Sequence, residues 1–199
     1  MATRALDGGP RHSGYSRASI LIHWTIALLI IGNLAGAFWM ESLLHSDVAA
    51  DKQLGFQVIQ LHKATGLTVL TLSALRLLLR LREGFVPLPA HMTPVERVAA
   101  RLTHYGFYVL MLGVPLLGWA MTSASPLQFP ISYFGLFDWP MLPLGVDAAL
   151  ADTLEEFHEL GAFAIIGMLA LHVAGALKHH FLDRDDVLAH ILPLVRPRG

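Results

Sequence analysis

The 199-residue sequence contains no cysteine. That absence excludes disulfides, covalent c-type haem attachment and cysteine-ligated iron–sulfur clusters. Charge is scarce too. Asp, Glu, Lys and Arg make up 15% of the chain, against about a quarter of an ordinary soluble domain. Basic and acidic residues nearly cancel, to a net charge of −1, so there is no basic surplus to hold a nucleic acid. What is abundant is apolar surface, at 54% of residues. It is gathered into four runs, about 20–40, 57–79, 103–122 and 154–177. Each approaches the roughly 20 residues that cross a bilayer as a helix.

The fold expected is therefore all-α: an integral membrane bundle of four helices. Residues 1–15 read as a flexible cytoplasmic tail and 16–195 as one transmembrane unit. Basic residues set the orientation. Arg4, Arg11 and Arg17 precede the first run; Arg76, Arg80, Arg82, Arg97 and Arg101 flank the second connection; Lys178, Arg184, Arg196 and Arg198 follow the last. The first and third connections hold only Lys52 among Glu41, Asp47, Asp51, Asp138, Asp147, Asp152, Glu155 and Glu156. The positive-inside rule then puts both termini in the cytoplasm. The first run is long for the apolar part of a signal peptide and contains His23 and Asn33, so it reads as a retained span.

Thr93-Pro94 ahead of Val95, Val98, Ala99 and Leu102 predicts a capped amphipathic start to the third helix. Pro115 is expected to kink that helix. The connection over 123–153 is rich in Pro, Phe and Trp. It is expected at the outer interface, with Phe134, Phe137 and Trp139 at headgroup depth, and its length suggests function.

Histidines inside apolar runs carry the chemistry. His158 and His172 lie 14 residues apart on the fourth run, about 21 Å of helical rise and just under four turns, so both leave one face. Topology places His23 and His172 toward the cytoplasm, and His62 and His158 toward the outside. Ionisable side chains at such depths are costly and usually functional. Two matched couples predict two haem irons, each clamped from both sides: His23 with His172, His62 with His158. Bis-histidine iron passes single electrons rather than binding oxygen. His104, at cytoplasmic depth, is the rival for His23 or His172; it could instead bond a haem propionate, relay protons or face a quinone. A stripe of His62, Gly66, Val69, Ser73, Arg76 and Arg80 should face the bundle interior. Arg17 and Lys63 are candidate partners for haem propionates, with snorkelling to lipid phosphates the plainer use of both. His158 and His172 each begin an H-x-x-G (Gly161, Gly175), where glycine admits either a flat macrocycle or a neighbouring helix. His179 and His180 read as interfacial, and His12, His45, His91 and His190 as solvated.

These pieces resemble the bacterial cytochrome b561 family of small four-helix di-haem membrane cytochromes. The resemblance rests on Tyr15-Ser16-Arg17 leading to Ile22-His23-Trp24, then Leu61-His62-Lys63 with Gly66, then the run from Ala74 to Leu81. Phe157-His158-Glu159 and the run from Leu171-His172 to His180 complete it, over about residues 15–195. The resemblance implies two haem b groups on His23, His62, His158 and His172, electron exchange with ubiquinone, and the bacterial inner membrane. One branch of that family looks like superoxide oxidase; other relatives are haem subunits serving a partner redox enzyme. Superoxide is an anion that gains from a positive approach, whereas the external loops here are acidic. A haem-free histidine transporter of protons or metal ions is the third reading.

Overall fold

The computed structural model describes residues 15–84, 88–89, 91–192 and 194–195. Nearly all of the expected tail, with Arg4, Arg11 and His12, lies outside them, as do Arg196 and Arg198. Four long helices form: α1 (Arg17–Leu44), α2 (Ala49–Glu83), α3 (Pro94–Ala124) and α4 (Ala148–Lys178). All four are long and apolar enough to cross a membrane. Each extends beyond its apolar run, because polar turns at both ends continue the backbone hydrogen bonding where hydropathy stops. Outward side chains such as Leu28, Val109 and Phe163 are 68%, 70% and 62% exposed. In water that surface would be prohibitive; in a bilayer it contacts lipid.

Local chemistry fixes the ends. Ser16 caps α1 by accepting the Ser19 N–H. The carboxylate of Glu83, at the end of α2, accepts from the hydroxyls of Ser16 and Ser19, both at 2.8 Å. α1 and α2 are thereby tied antiparallel. Thr93 and Glu96 form a reciprocal capping box with Pro94 in the first turn, as the sequence predicts. α3 runs on as a single helix through Pro115.

The connection after α3 is not structureless. It folds into a small hairpin, β1 (Ile131–Tyr133) against β2 (Phe137–Trp139), with Tyr133 opposite Phe137. Phe134 and Gly135 both take positive φ in the turn, 52° and 74°, which costs glycine little and phenylalanine more. Gln60 of α2 docks the hairpin, donating to the Pro130 carbonyl and accepting the Ser132 N–H, both at 3.0 Å. Tyr133 packs against Phe134, Phe137 and Trp139.

Packing is uneven, and the unevenness shapes the site. Helices approach closely within the α1–α2 and α3–α4 pairs and between α2 and α3. Among the described residues, α4 makes at most a marginal backbone approach to α1 or α2. At Gly161 of α4, an added Cβ would stand 2.5 Å from Cγ2 of Val114 on α3. This half of the H-x-x-G echo therefore serves helix packing, whereas Gly175 has no neighbouring atom within 4 Å of such a Cβ. Gly161→Ala should destabilise by about 1 kcal/mol: overpacking costs more than the helix propensity of alanine returns. Thermal denaturation in detergent checks this, and adding Val114→Ala should restore most of the loss.

Candidate functional site

The histidines predicted to pair do meet. The rings of His23 on α1 and His172 on α4 lie 6.3 Å apart between centroids. Those of His62 on α2 and His158 on α4 lie 6.1 Å apart. The ring planes are inclined at 65° and 73°. The pairs occupy opposite ends of the bundle, because α4 is continuous between His158 and His172. All four residues are half-buried. Both couples span α4 and a helix on which it does not closely pack, so each bridges a gap rather than a packed seam.

Neighbouring groups orient the rings. Nδ1 of His158 lies 2.9 Å from the Val114 carbonyl oxygen. As donor to that oxygen, Nδ1 carries the proton and Nε2 keeps its lone pair. Gly118 stands against the same ring; a Cβ there would come within 3.0 Å of His158 Cε1. His62 differs. Its Nδ1 is buried without a well-formed hydrogen bond, although the Asn33 backbone stands close by. Beside it is a cavity of about 260 Å³, lined by Gly32, Asn33, Gly36, His62 and Thr65 among others. Side chains on Gly32 and Gly36 would enter open space.

At the other end three imidazoles crowd together. His104 of α3 lies 5.8 Å from His172, nearer than His23. It is more exposed than the other two, and it meets His172 across the closely packed α3–α4 seam. There Gly106 is already so close to Met168 that a Cβ would sit 2.7 Å from its methyl. Phe107 adds an edge contact to His172, at 5.4 Å. The interior stripe of α2 is borne out: Val69 and Ser73 are buried, and Arg76 donates to the Ser19 carbonyl at 2.7 Å. Ser19 lies one turn before His23 on α1, so this bond holds the Arg76 guanidinium at the His23 end of the bundle. Arg17 is exposed in the first turn of α1, and Lys63 is half-buried next to His62.

One histidine departs from its sequence reading. His179 is buried at the end of α4, whereas His91 stays exposed as expected, with its Nε2 3.1 Å from Asp185 Oδ2. The cause is a backbone reversal. The helix ends in one π turn, His179–Asp183, and Arg184 takes a left-handed conformation at φ 54°. That folds Asp185 back onto His179, a contact that helical periodicity does not reveal. His45 and His190 are exposed as expected.

Comparison with known proteins identifies the family. A family model described as prokaryotic cytochrome b561 matches residues 14–194. Cytochrome b561 homolog 2 of Escherichia coli K12 is 32% identical over 179 residues, covering 89% of this chain and 90% of the relative. A Yersinia pestis protein described as probable superoxide oxidase CybB is 29% identical over 187 residues, covering 93% and 99%. Cytochrome b562 of Cereibacter sphaeroides is 31% identical over 185 residues, covering 93% and 97%. With a family match across nearly its whole length and four helices long and apolar enough to cross a membrane, this chain belongs to the prokaryotic cytochrome b561 family, multi-pass bacterial membrane cytochromes that bind haem b and carry electrons.

Proposed function

We propose that the chain holds two haem b groups, one between His23 and His172 and one between His62 and His158. It passes single electrons between a membrane quinone, ubiquinone in the resemblance, and a second donor or acceptor. The observation carrying this reading is the pair of imidazole couples, 6.3 and 6.1 Å across, on helices that leave room between them. Two imidazole nitrogens on opposite sides of one metal ion, each about 2 Å from it, put ring centres roughly 6 Å apart. The observed spacings fit. His104–His172 is shorter, at 5.8 Å, and lies over a packed seam, which favours His23 as the partner of His172.

When bound, haem would supply an iron that changes by one electron. The protein's part is positioning. The Val114 carbonyl holds the His158 tautomer, a role that outer partners of metal-binding histidines commonly play. A small rotation of His62 toward Asn33 would give its Nδ1 a partner while presenting Nε2, which removes the cost of a buried unpaired nitrogen. Arg17 and Lys63 are proposed for propionates. Arg76 joins them, since it sits at the depth of the first couple and a guanidinium has donors beyond the one given to Ser19. The proposal puts the bundle in a bacterial inner membrane with both termini in the cytoplasm, which the basic residues of the second connection and the two ends support.

A second reading is superoxide oxidation, in which two superoxide ions yield two O₂ and two electrons that, with two protons, reduce one quinone to quinol. The probable superoxide oxidase among the relatives favours it. The acidic residues in the hairpin and after it, Asp138, Asp147 and Asp152, oppose the approach of an anion. Anaerobic mixing with ubiquinol should reduce the haem absorption bands, and ubiquinone should reverse it. Reduction by superoxide at a comparable rate would favour the second reading. Reduction only through an added partner enzyme would leave the chain a relay subunit and contradict direct quinone exchange.

A further inference from the structure

The structure assigns a second kind of metal site to this chain: a divalent, zinc-class site made by His91, His179, Asp183 and Asp185, away from both histidine couples. One ligand atom from each of these residues lies within 4.8 Å of every other. His179 Nδ1 is 2.8 Å from Asp185 Oδ2 and 3.1 Å from Asp183 Oδ2. His91 Nε2 is 3.1 Å from Asp185 Oδ2. A tetrahedral ion with bonds of about 2.0–2.1 Å sets its ligand atoms roughly 3.3 Å apart. The three short spacings fall a few tenths of an ångström below that value, and the remaining pairs lie within 4.8 Å.

Burial and charge support the assignment. The His179 side chain is 11% exposed and that of Asp185 also 11%, so two of the four donors are already withdrawn from water. Asp185 is pre-oriented, because its Oδ1 accepts the Val187 N–H at 3.0 Å and leaves Oδ2 facing both imidazoles. Lys178 sits alongside, donating to both oxygens of Asp183 at 2.9 and 2.7 Å and pairing with Glu96 at 2.7 Å. The carboxylates of Glu96, Asp183 and Asp185 outnumber the one ammonium of Lys178 that pairs among them, an excess of negative charge that suits a divalent cation. Binding through Asp183 Oδ2 lets Lys178 keep Oδ1 and Glu96. Two imidazole nitrogens and two carboxylate oxygens suit zinc rather than calcium or magnesium, which take oxygen ligands in larger number or with retained water.

The donors come from separate parts of the chain. His91 lies in the α2–α3 connection, His179 and Asp183 in the π turn, and Asp185 beyond the left-handed Arg184. An ion there clasps the segment after α4 onto that connection. The same segment is tied to α1 by Trp24 Nε1 donating to the Ile191 carbonyl at 2.8 Å.

The test uses untagged, haem-loaded protein equilibrated with zinc and then dialysed. About one zinc per chain should remain, and its K-edge absorption spectrum, which the haem iron does not obscure, should show two imidazoles and two oxygens at about 2.0 Å. His179→Ala should abolish retention; His91→Ala and Asp185→Asn should weaken zinc binding by tenfold or more, with the haem bands unchanged. Should His179→Ala fail to fold, the His91→Ala variant, altered at an exposed side chain, decides. No retained zinc, or retention equal to wild type in the His91→Ala variant, overturns the site. The haem bands report separately on the ligation proposed above, so the two readings fail independently.

Discussion

Replacing His62 or His158 with alanine should halve the haem content of the purified protein. The surviving centre should keep its spectrum, because the two couples sit at opposite ends of α4, about 21 Å apart along its axis. Replacing His23 or His172 should remove the other half and leave the first intact. The effect should be nearly all-or-none at each centre, since a b-type haem has no covalent link and depends on its axial bonds and its slot. The informative comparison is between the pairs. If the His62 and His158 variants lose the same absorption component and the His23 and His172 variants the other, the couples are assigned. Shared loss by His23 and His62 variants would overturn the pairing. His104→Ala should retain both haems; loss of the His172 centre in that variant would make His104 the ligand in place of His23.

Gly118→Leu should remove the His158 centre without touching a ligand. The hydrogen atoms of Gly118 are all that separate this part of α3 from the His158 ring, and a Cβ would sit 3.0 Å from Cε1 and 3.1 Å from Nδ1. A leucine cannot be accommodated by the ring shifting away, because Nδ1 is held by the Val114 carbonyl one turn earlier on the same helix. The imidazole must either lose that hydrogen bond or leave the line toward His62. Either outcome should appear as loss of about half the haem, or as conversion of one centre to a form with an open axial position that binds carbon monoxide when reduced. Gly113→Leu, at a site where an added Cβ meets nothing within 4 Å, is the control and should leave both centres in place. Equal haem loss in the two variants would mean that bulk on α3, rather than the position of His158, is what matters.

Both couples were legible in the sequence for a simple reason. Histidine is rare in lipid, so each one carries information, and the basic connections assign a depth to each helix end. The stripe of α2 was legible for the same kind of reason, since His62, Ser73, Arg76 and Arg80 recur at helical spacing on one face. Other features lay beyond sequence reading. The strands of the hairpin are three residues long, too short for alternation to stand out among prolines and aromatics. The partner of His158 Nδ1 is a backbone carbonyl, which no residue type announces, although Gly118 and Pro115 beside it hint at a crowded surface. Of the two glycines in the H-x-x-G echo, only coordinates separate Gly161, which seats Val114, from Gly175, which faces open space. The cluster around His179 depends on the left-handed turn at Arg184, a conformation for which arginine gives no signal.

The most direct test of two bis-histidine irons is low-temperature electron paramagnetic resonance of the oxidised protein, with haem measured against chain. Imidazole planes inclined at 65° and 73° are far from parallel, and such axial pairs give strongly anisotropic low-spin ferric signals. The expected result is two of them, at about two haems per chain from the two couples. A high-spin signal at full haem loading, a single haem per chain, or folded and active protein with no haem would contradict it.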